Sequence, residues 1–154
     1  MAIRQIRKNG DDILKKKSRI VERIDDRVLT LLDDMYETMT AANGVGIAAV
    51  QVGVLKRLAV IDTGEGPIYL INPKIVIAEG EREVSEGCLS VPGVYGIVMR
   101  PENVTVAALD REGKLQMYTA EEELLVKAFC HELDHLEGTL FLDKVIRFVE
   151  EDEE

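Results

Sequence analysis

The segment from about Ala120 to Leu136 leaves this chain few folds to choose from. Leu124, Leu125, Ala128, Phe129, Leu133 and Leu136 recur at helical spacing and cover more than one side of the helix they predict. A helix apolar on several sides has to be enclosed rather than laid on a surface. Thr119 with Glu122 predicts a capping box at its start. Glu121 to Glu123 suit the positive end of its dipole, and Gly138 is its terminator.

The material to enclose it lies upstream. Val28, Leu31, Leu32, Met35 and Met39 give one apolar face to a first, N-terminal helix from about Asp26 to Ala42. Asp25 or Asp26 caps it and Asn43-Gly44 ends it. Strands are expected at Leu58 to Ile61, Ile68 to Ile71, Lys74 to Ala78, Ile97 to Met99, Val104 to Leu109 and Leu115 to Tyr118. The segments between them are too short for helical crossovers, so the sheets should be largely antiparallel. Helix, several strands and a closing helix make an α+β fold, its sheets packed around the central second helix.

One domain over residues 1–154 is the simple reading, with an acidic tail from about residue 148. No apolar run reaches the roughly 20 residues of a membrane helix, and Met1 to Lys17 lacks the apolar core of a secretory signal, so a cytoplasmic location is expected. Net charge is −10, which argues against a DNA partner. The one basic cluster, from Arg4 to Arg19, reads as a solvated segment.

The chemistry gathers on the closing helix, as His131-Glu132-Leu133-Asp134-His135. Histidines at i and i+4 share a face and can chelate one ion, and Glu132 beside them can address a water on that ion. These are the only two histidines in the chain. A catalytic ion of this kind usually takes three protein ligands and keeps one open position. The position where some metalloproteases carry a third histidine is Phe141. The third ligand is therefore a carboxylate or a cysteine. Cys130 points about 100° round the helix from His131 and reads better as a buried hydrophobe. Cys88 lies in Ser85-Glu86-Gly87-Cys88-Leu89-Ser90-Val91-Pro92-Gly93, an irregular segment between strands that can present a thiolate and free backbone N–H groups. Standing alone, this segment would read as holding one more buried cysteine. A third segment, Gly44 to Gly53, brings two glycines that permit close backbone approach, and the amide of Gln51.

Together Gly44 to Gln51, Glu86 to Ser90 and His131 to His135 resemble the peptide deformylases, in order and over nearly the whole chain. The resemblance implies Cys88, His131 and His135 as metal ligands, with Fe(II) as the native ion and Zn, Ni or Co able to take its place. It implies Glu132 as general base and then general acid, with hydroxide on the metal attacking a formyl carbonyl. Gln51 and the backbone N–H of Leu89 would stabilise the oxyanion. Val45, Gly46 and Gly87 would form the edge along which the peptide lies, and Leu124 and Ala128 the walls of a methionine pocket. Glu86 would pair with Arg100 behind the site. Lys127 is a departure, a charge near the pocket whose long side chain is expected to turn its amine to solvent. The implied partners are N-formyl-methionyl peptides and nascent chains. A transient ribosome contact stays open, no membrane is involved, and a monomer is expected. Two other readings compete: a zinc peptidase whose third ligand is Glu137, Asp143 or Glu150, and a structural zinc site closed by Cys130.

Overall fold

The computed structural model describes residues 2–149. Helix α1 spans Asp26–Ala41, and Asp25 caps it by accepting the Val28 N–H at 3.0 Å. Its end is closed by Asn43, at φ 59°. The Gly44 N–H returns to the Met39 carbonyl and the Asn43 N–H to that of Thr40. The left-handed turn then sends the chain into β1 (Gly46–Ala48), a 3-10 turn (Ala49–Val52) and β2 (Leu58–Ile61).

Strands β3 (Ile68–Glu79), β6 (Asn103–Leu109) and β7 (Leu115–Ala120) complete a five-stranded antiparallel sheet in the order β1-β2-β3-β6-β7. Strands β4 (Arg82–Cys88), β5 (Val91–Arg100) and β8 (Arg147–Val149) form a second sheet of three, also antiparallel. Helix α2 (Glu123–Leu136) closes the core. The expected α+β class with antiparallel sheets is what the chain adopts.

Strand β2 shows how the layers meet. All four of its residues are buried, because both faces are covered. Leu58 and Val60 pack with Leu31, Leu32, Met35 and Met39 of α1, whereas Ala59 and Ile61 pack with Val126, Ala128 and Phe129 of α2. A two-sided strand reads as an unbroken apolar run. The two helices therefore lie on opposite faces of the larger sheet.

The structure corrects several expectations. The capping box at Thr119 does not form: Thr119 belongs to β7, opposite Thr105, with the two hydroxyl oxygens 3.1 Å apart. Glu122 is the cap itself, its carboxylate accepting the N–H groups of Leu124 and Leu125. The stretches expected as Ile68 to Ile71 and Lys74 to Ala78 are one strand with irregular register. Phe148 and Val149 pair with Gly96 and Tyr95, so the proposed tail cannot begin at 148; Glu150 to Glu154 lie outside the described residues. No helix among those described is long and apolar enough to cross a membrane.

Candidate active site

Helix α2 carries His131 and His135 on the face turned toward the small sheet. The Gly138 terminator forms as expected, at φ 80°, with the N–H groups of Gly138 and Thr139 returning to the carbonyls of His135 and Asp134. Cys88 reaches the same point from β4. Its segment is not irregular: it is a tight hairpin, with Cys88 ending β4 and Val91 beginning β5. A register slip between Glu86 and Cys88 re-aims the chain there, the usual effect of a bulge beside a site.

The sulfur of Cys88 and a nitrogen from each of His131 and His135 all lie within 4.8 Å of one another. Cys88 Sγ is 3.3 Å from His135 Nε2. Tetrahedral coordination with Zn–S near 2.3 Å and Zn–N near 2.0–2.1 Å would separate such a pair by about 3.5 Å. One thiolate and two imidazoles suit a first-row ion such as zinc or ferrous iron rather than magnesium or calcium. The residues therefore fit a metal. Phe141, at the position of an absent third histidine, stacks near His131 instead, with ring centroids 5.9 Å apart.

A buried network fixes this cluster from behind. His131 Nδ1 is 2.9 Å from Glu86 Oε1, which leaves its other nitrogen for the cluster. Arg100 donates from Nε and Nη2 to both oxygens of Glu86, at 2.6 and 2.8 Å, and from Nη1 to Asp134 at 2.7 Å. Arg100 is therefore buried and paired, as the resemblance implied. Burial alone would raise the Glu86 pKa, but the bonds from Arg100 and His131 outweigh it and pull the carboxyl down to about 2. Burial also opposes a charged His131, yet the Cys88 sulfur and Glu86 hold its pKa well above the ordinary value. His135 goes the other way, driven down by burial and by the charge of His131. A metal needs both rings neutral, so its binding competes with protons for these nitrogens.

Glu132 projects beside the cluster and is only 3% exposed. Its Oε1 has no hydrogen-bond partner among the described residues, and burial raises its carboxyl to about 7. It fits because position 46 is glycine. A Cβ there would sit 2.6 Å from Glu132 Oε2. Gln51 is buried and held at both ends of its amide. Oε1 accepts the Ala48 N–H at 2.9 Å, and Nε2 donates to Ser90 Oγ at 3.1 Å and lies 3.7 Å from Cys88 Sγ.

These groups meet at a cleft of about 650 Å³. Val45, Gly46, Gln51, Gly87, Cys88, Leu89, Leu124, Ala128, His131 and Glu132 all line it. His135, 1% exposed, does not itself line the cleft but lies behind Cys88, its Nε2 3.3 Å from the sulfur. Lys127 corrects an expectation. Its ammonium donates to the Ser85 carbonyl at 2.7 Å instead of turning to solvent, tying α2 to β4. Cys130 lies outside the cluster, packed with Ala59 and Phe129, and burial pushes its thiol up to about 11. The rival third ligands are engaged elsewhere. Glu137 pairs with Arg57 and Lys17, and Asp143 accepts the Leu140 N–H; Glu150 lies outside the described residues. Sequence reasoning gave no role to Ser90, which accepts from Gln51, or to Asp134, which accepts from Arg100, and missed the lining contributed by Ile6 and Lys8. For Ser90 and Asp134 the signal was their place inside the Cys88 and His131–His135 segments; for Ile6 and Lys8 there was none.

A sulfur and two imidazoles closed beside a buried carboxylate, at the base of a cleft in an α+β domain, define a metal-dependent hydrolase. The polypeptide deformylase model matches residues 3–151, and the chain belongs to that family, whose members remove the N-formyl group from nascent peptides. A peptide deformylase of Acetivibrio thermocellus is 61% identical over 153 residues, covering 99% of this chain and 89% of its own length. Among solved structures, the peptide deformylase of Legionella pneumophila superposes with a TM-score of 0.89 at 48% identity, over 93% of this chain and 86% of its own. That of Thermotoga maritima gives 0.90 at 34% identity, over 93% and 97%.

Proposed function

We propose that Cys88, His131 and His135 hold one divalent ion, natively Fe(II) with Zn, Ni or Co as substitutes, and that the cleft hydrolyses the formamide of an N-terminal formyl-methionine. The observation that carries this reading is the convergence of the three donor atoms within 4.8 Å, next to buried Glu132. When bound, the ion supplies Lewis acidity and makes hydroxide available near neutral pH.

The chain's own residues account for the rest. The Val45 carbonyl accepts the Asp62 N–H across to β2, and the Ala48 N–H turns to Gln51. By strand alternation Gly46 directs its N–H and carbonyl away from β2, toward the free edge of the sheet. An extended peptide can pair there, between Val45-Gly46 and Gly87. Its methionine side chain then enters between Leu124 and Ala128. The formyl oxygen meets the Gln51 amide and the Leu89 N–H, which stabilise the negative charge that grows on it. Glu132 takes a proton from the attacking water and returns it to the amide nitrogen as the C–N bond breaks. Formate and a free methionine amine leave. In this reading residues 1–154 form one catalytic domain, acting as a cytoplasmic monomer on nascent chains, with no DNA or membrane partner. Any transient ribosome contact falls to the basic N-terminal segment.

The test is formate release from formyl-Met-Ala-Ser by protein purified without oxygen and reloaded with Fe(II), with acetyl-Met-Ala-Ser alongside. Release from the formyl peptide alone is expected; no release with one ion bound per chain would reject the reading. The ligand assignment has its own check. Cys88→Ser should weaken metal binding by more than the roughly 10- to 100-fold that loss of an outer partner costs, and Cys130→Ser should leave it unchanged. Equal metal affinities of the two variants by competitive chelator titration would overturn the choice.

A further inference from the structure

The N-terminal segment is more than a solvated basic run. It is anchored at one end on α1, where the Arg4 N–H donates to Thr38 Oγ1 and its guanidinium pairs with buried Asp34. At the other end Leu14 is buried against Ala48, Val50 and Leu136. Between these anchors it crosses the rim of the cleft. The Arg7 N–H donates to the Gln51 carbonyl at 2.6 Å, and the Asn9 N–H to the Ser90 carbonyl at 2.7 Å. Gln51 Nε2 donates to Ser90 Oγ, so the strap, the 3-10 turn and the β4–β5 turn form a closed loop of hydrogen bonds. That loop joins the two sheets at the site.

Lys8 sits in the middle of it. Its Nζ donates to the Leu89 carbonyl at 3.2 Å. The same peptide group presents the Ser90 N–H to Cys88 Sγ at 3.4 Å. A cation on the carbonyl end of a peptide polarises its N–H end, since successive hydrogen bonds strengthen one another. We propose that Arg7–Asn9 is a strap holding the oxyanion edge in place, with Lys8 as a positioning residue that acts through the Leu89–Ser90 peptide on the Cys88 sulfur. This rests on the reading of Cys88 as a metal ligand. Lys8 touches neither the ligating atoms nor Glu132. Its influence reaches the sulfur's electron density and the direction of the Leu89 turn, so it changes turnover and leaves substrate binding alone.

The experiment loads wild type, Lys8→Met and Lys8→Arg with Co(II), and reads the cobalt–thiolate charge-transfer band together with kcat and KM for formyl-Met-Ala-Ser. Lys8 is exposed, so both variants should fold. In Lys8→Met the band should move to lower energy, because the sulfur loses a polarised donor. Its kcat should fall about 2- to 10-fold, the worth of one modest hydrogen bond, with KM unchanged. Lys8→Arg should restore both. An unmoved band with wild-type kcat in Lys8→Met would overturn the proposal, as would a raised KM at constant kcat, which would make Lys8 a substrate contact. A wild-type protein that deformylates but shows no thiolate band would overturn it through the ligand assignment. Absence of turnover in a wild type that shows the band would instead strike the proposed function.

Discussion

Replacing Glu132 with glutamine should lower kcat for formyl-Met-Ala-Ser by roughly 100- to 10,000-fold, the range a positioned general acid–base contributes, while metal content stays at the wild-type level. The side chain is 3% exposed, has no partner for Oε1 among the described residues and fills the space that Gly46 leaves open. Glutamine keeps that shape and removes only the ability to take and return a proton. Burial raises the carboxyl to about 7, and an ion in the adjacent cluster would draw it down again. Both keep it within reach of proton exchange near neutral pH. Single-turnover rates at saturating substrate, beside metal analysis of the same sample, make the measurement. A variant with full metal content and undiminished kcat would remove Glu132 from the mechanism.

That residue was legible in the sequence for a simple reason: its chemistry and its position are both local. His131, Glu132 and His135 occupy one helix, and the helix is fixed by its own apolar spacing. Strands β2 and β6 were legible for the same reason, as runs of apolar residues bounded by turn signals. Strand β4 was not. Its inward positions include Glu86, which breaks the apolar pattern of a strand; its pairing with Arg100 was implied by the resemblance alone, and Arg100, 14 residues on, and His131, 45 residues on, make its burial tolerable. The hairpin around Cys88 was hidden with it, so the segment looked irregular. Thr119 misled because a capping box and a strand end can share one sequence; pairing with Thr105 decided between them. The strap was invisible because Arg7 and Asn9 act through backbone N–H groups, which carry no side-chain signature, and Lys8 reaches a carbonyl 81 residues away.

The same buried network supplies the largest expected change in stability. Arg100→Met should destabilise the fold by about 3–5 kcal/mol, the cost of removing one partner from a buried ion pair. Arg100 and Glu86 are each 4% exposed, and the arginine fork satisfies both carboxylate oxygens. Methionine fills much of the volume and leaves the buried Glu86 carboxylate with His131 as its one remaining hydrogen-bond partner among the described residues. Asp134 loses a partner too but keeps Lys144 and is less deeply placed, so Glu86 dominates the cost. The double variant Glu86→Leu, Arg100→Met separates charge from packing. Replacing a whole buried pair with apolar residues is often close to neutral, so it should recover a large part of the loss. Urea midpoints of metal-free protein measure both, and a double variant no more stable than Arg100→Met would mean that packing carries the cost. If the double variant is restored in stability yet binds metal more weakly than wild type, the network's remaining contribution is orientation. Glu86 fixes which His131 nitrogen faces the cluster, and no apolar pair can replace that.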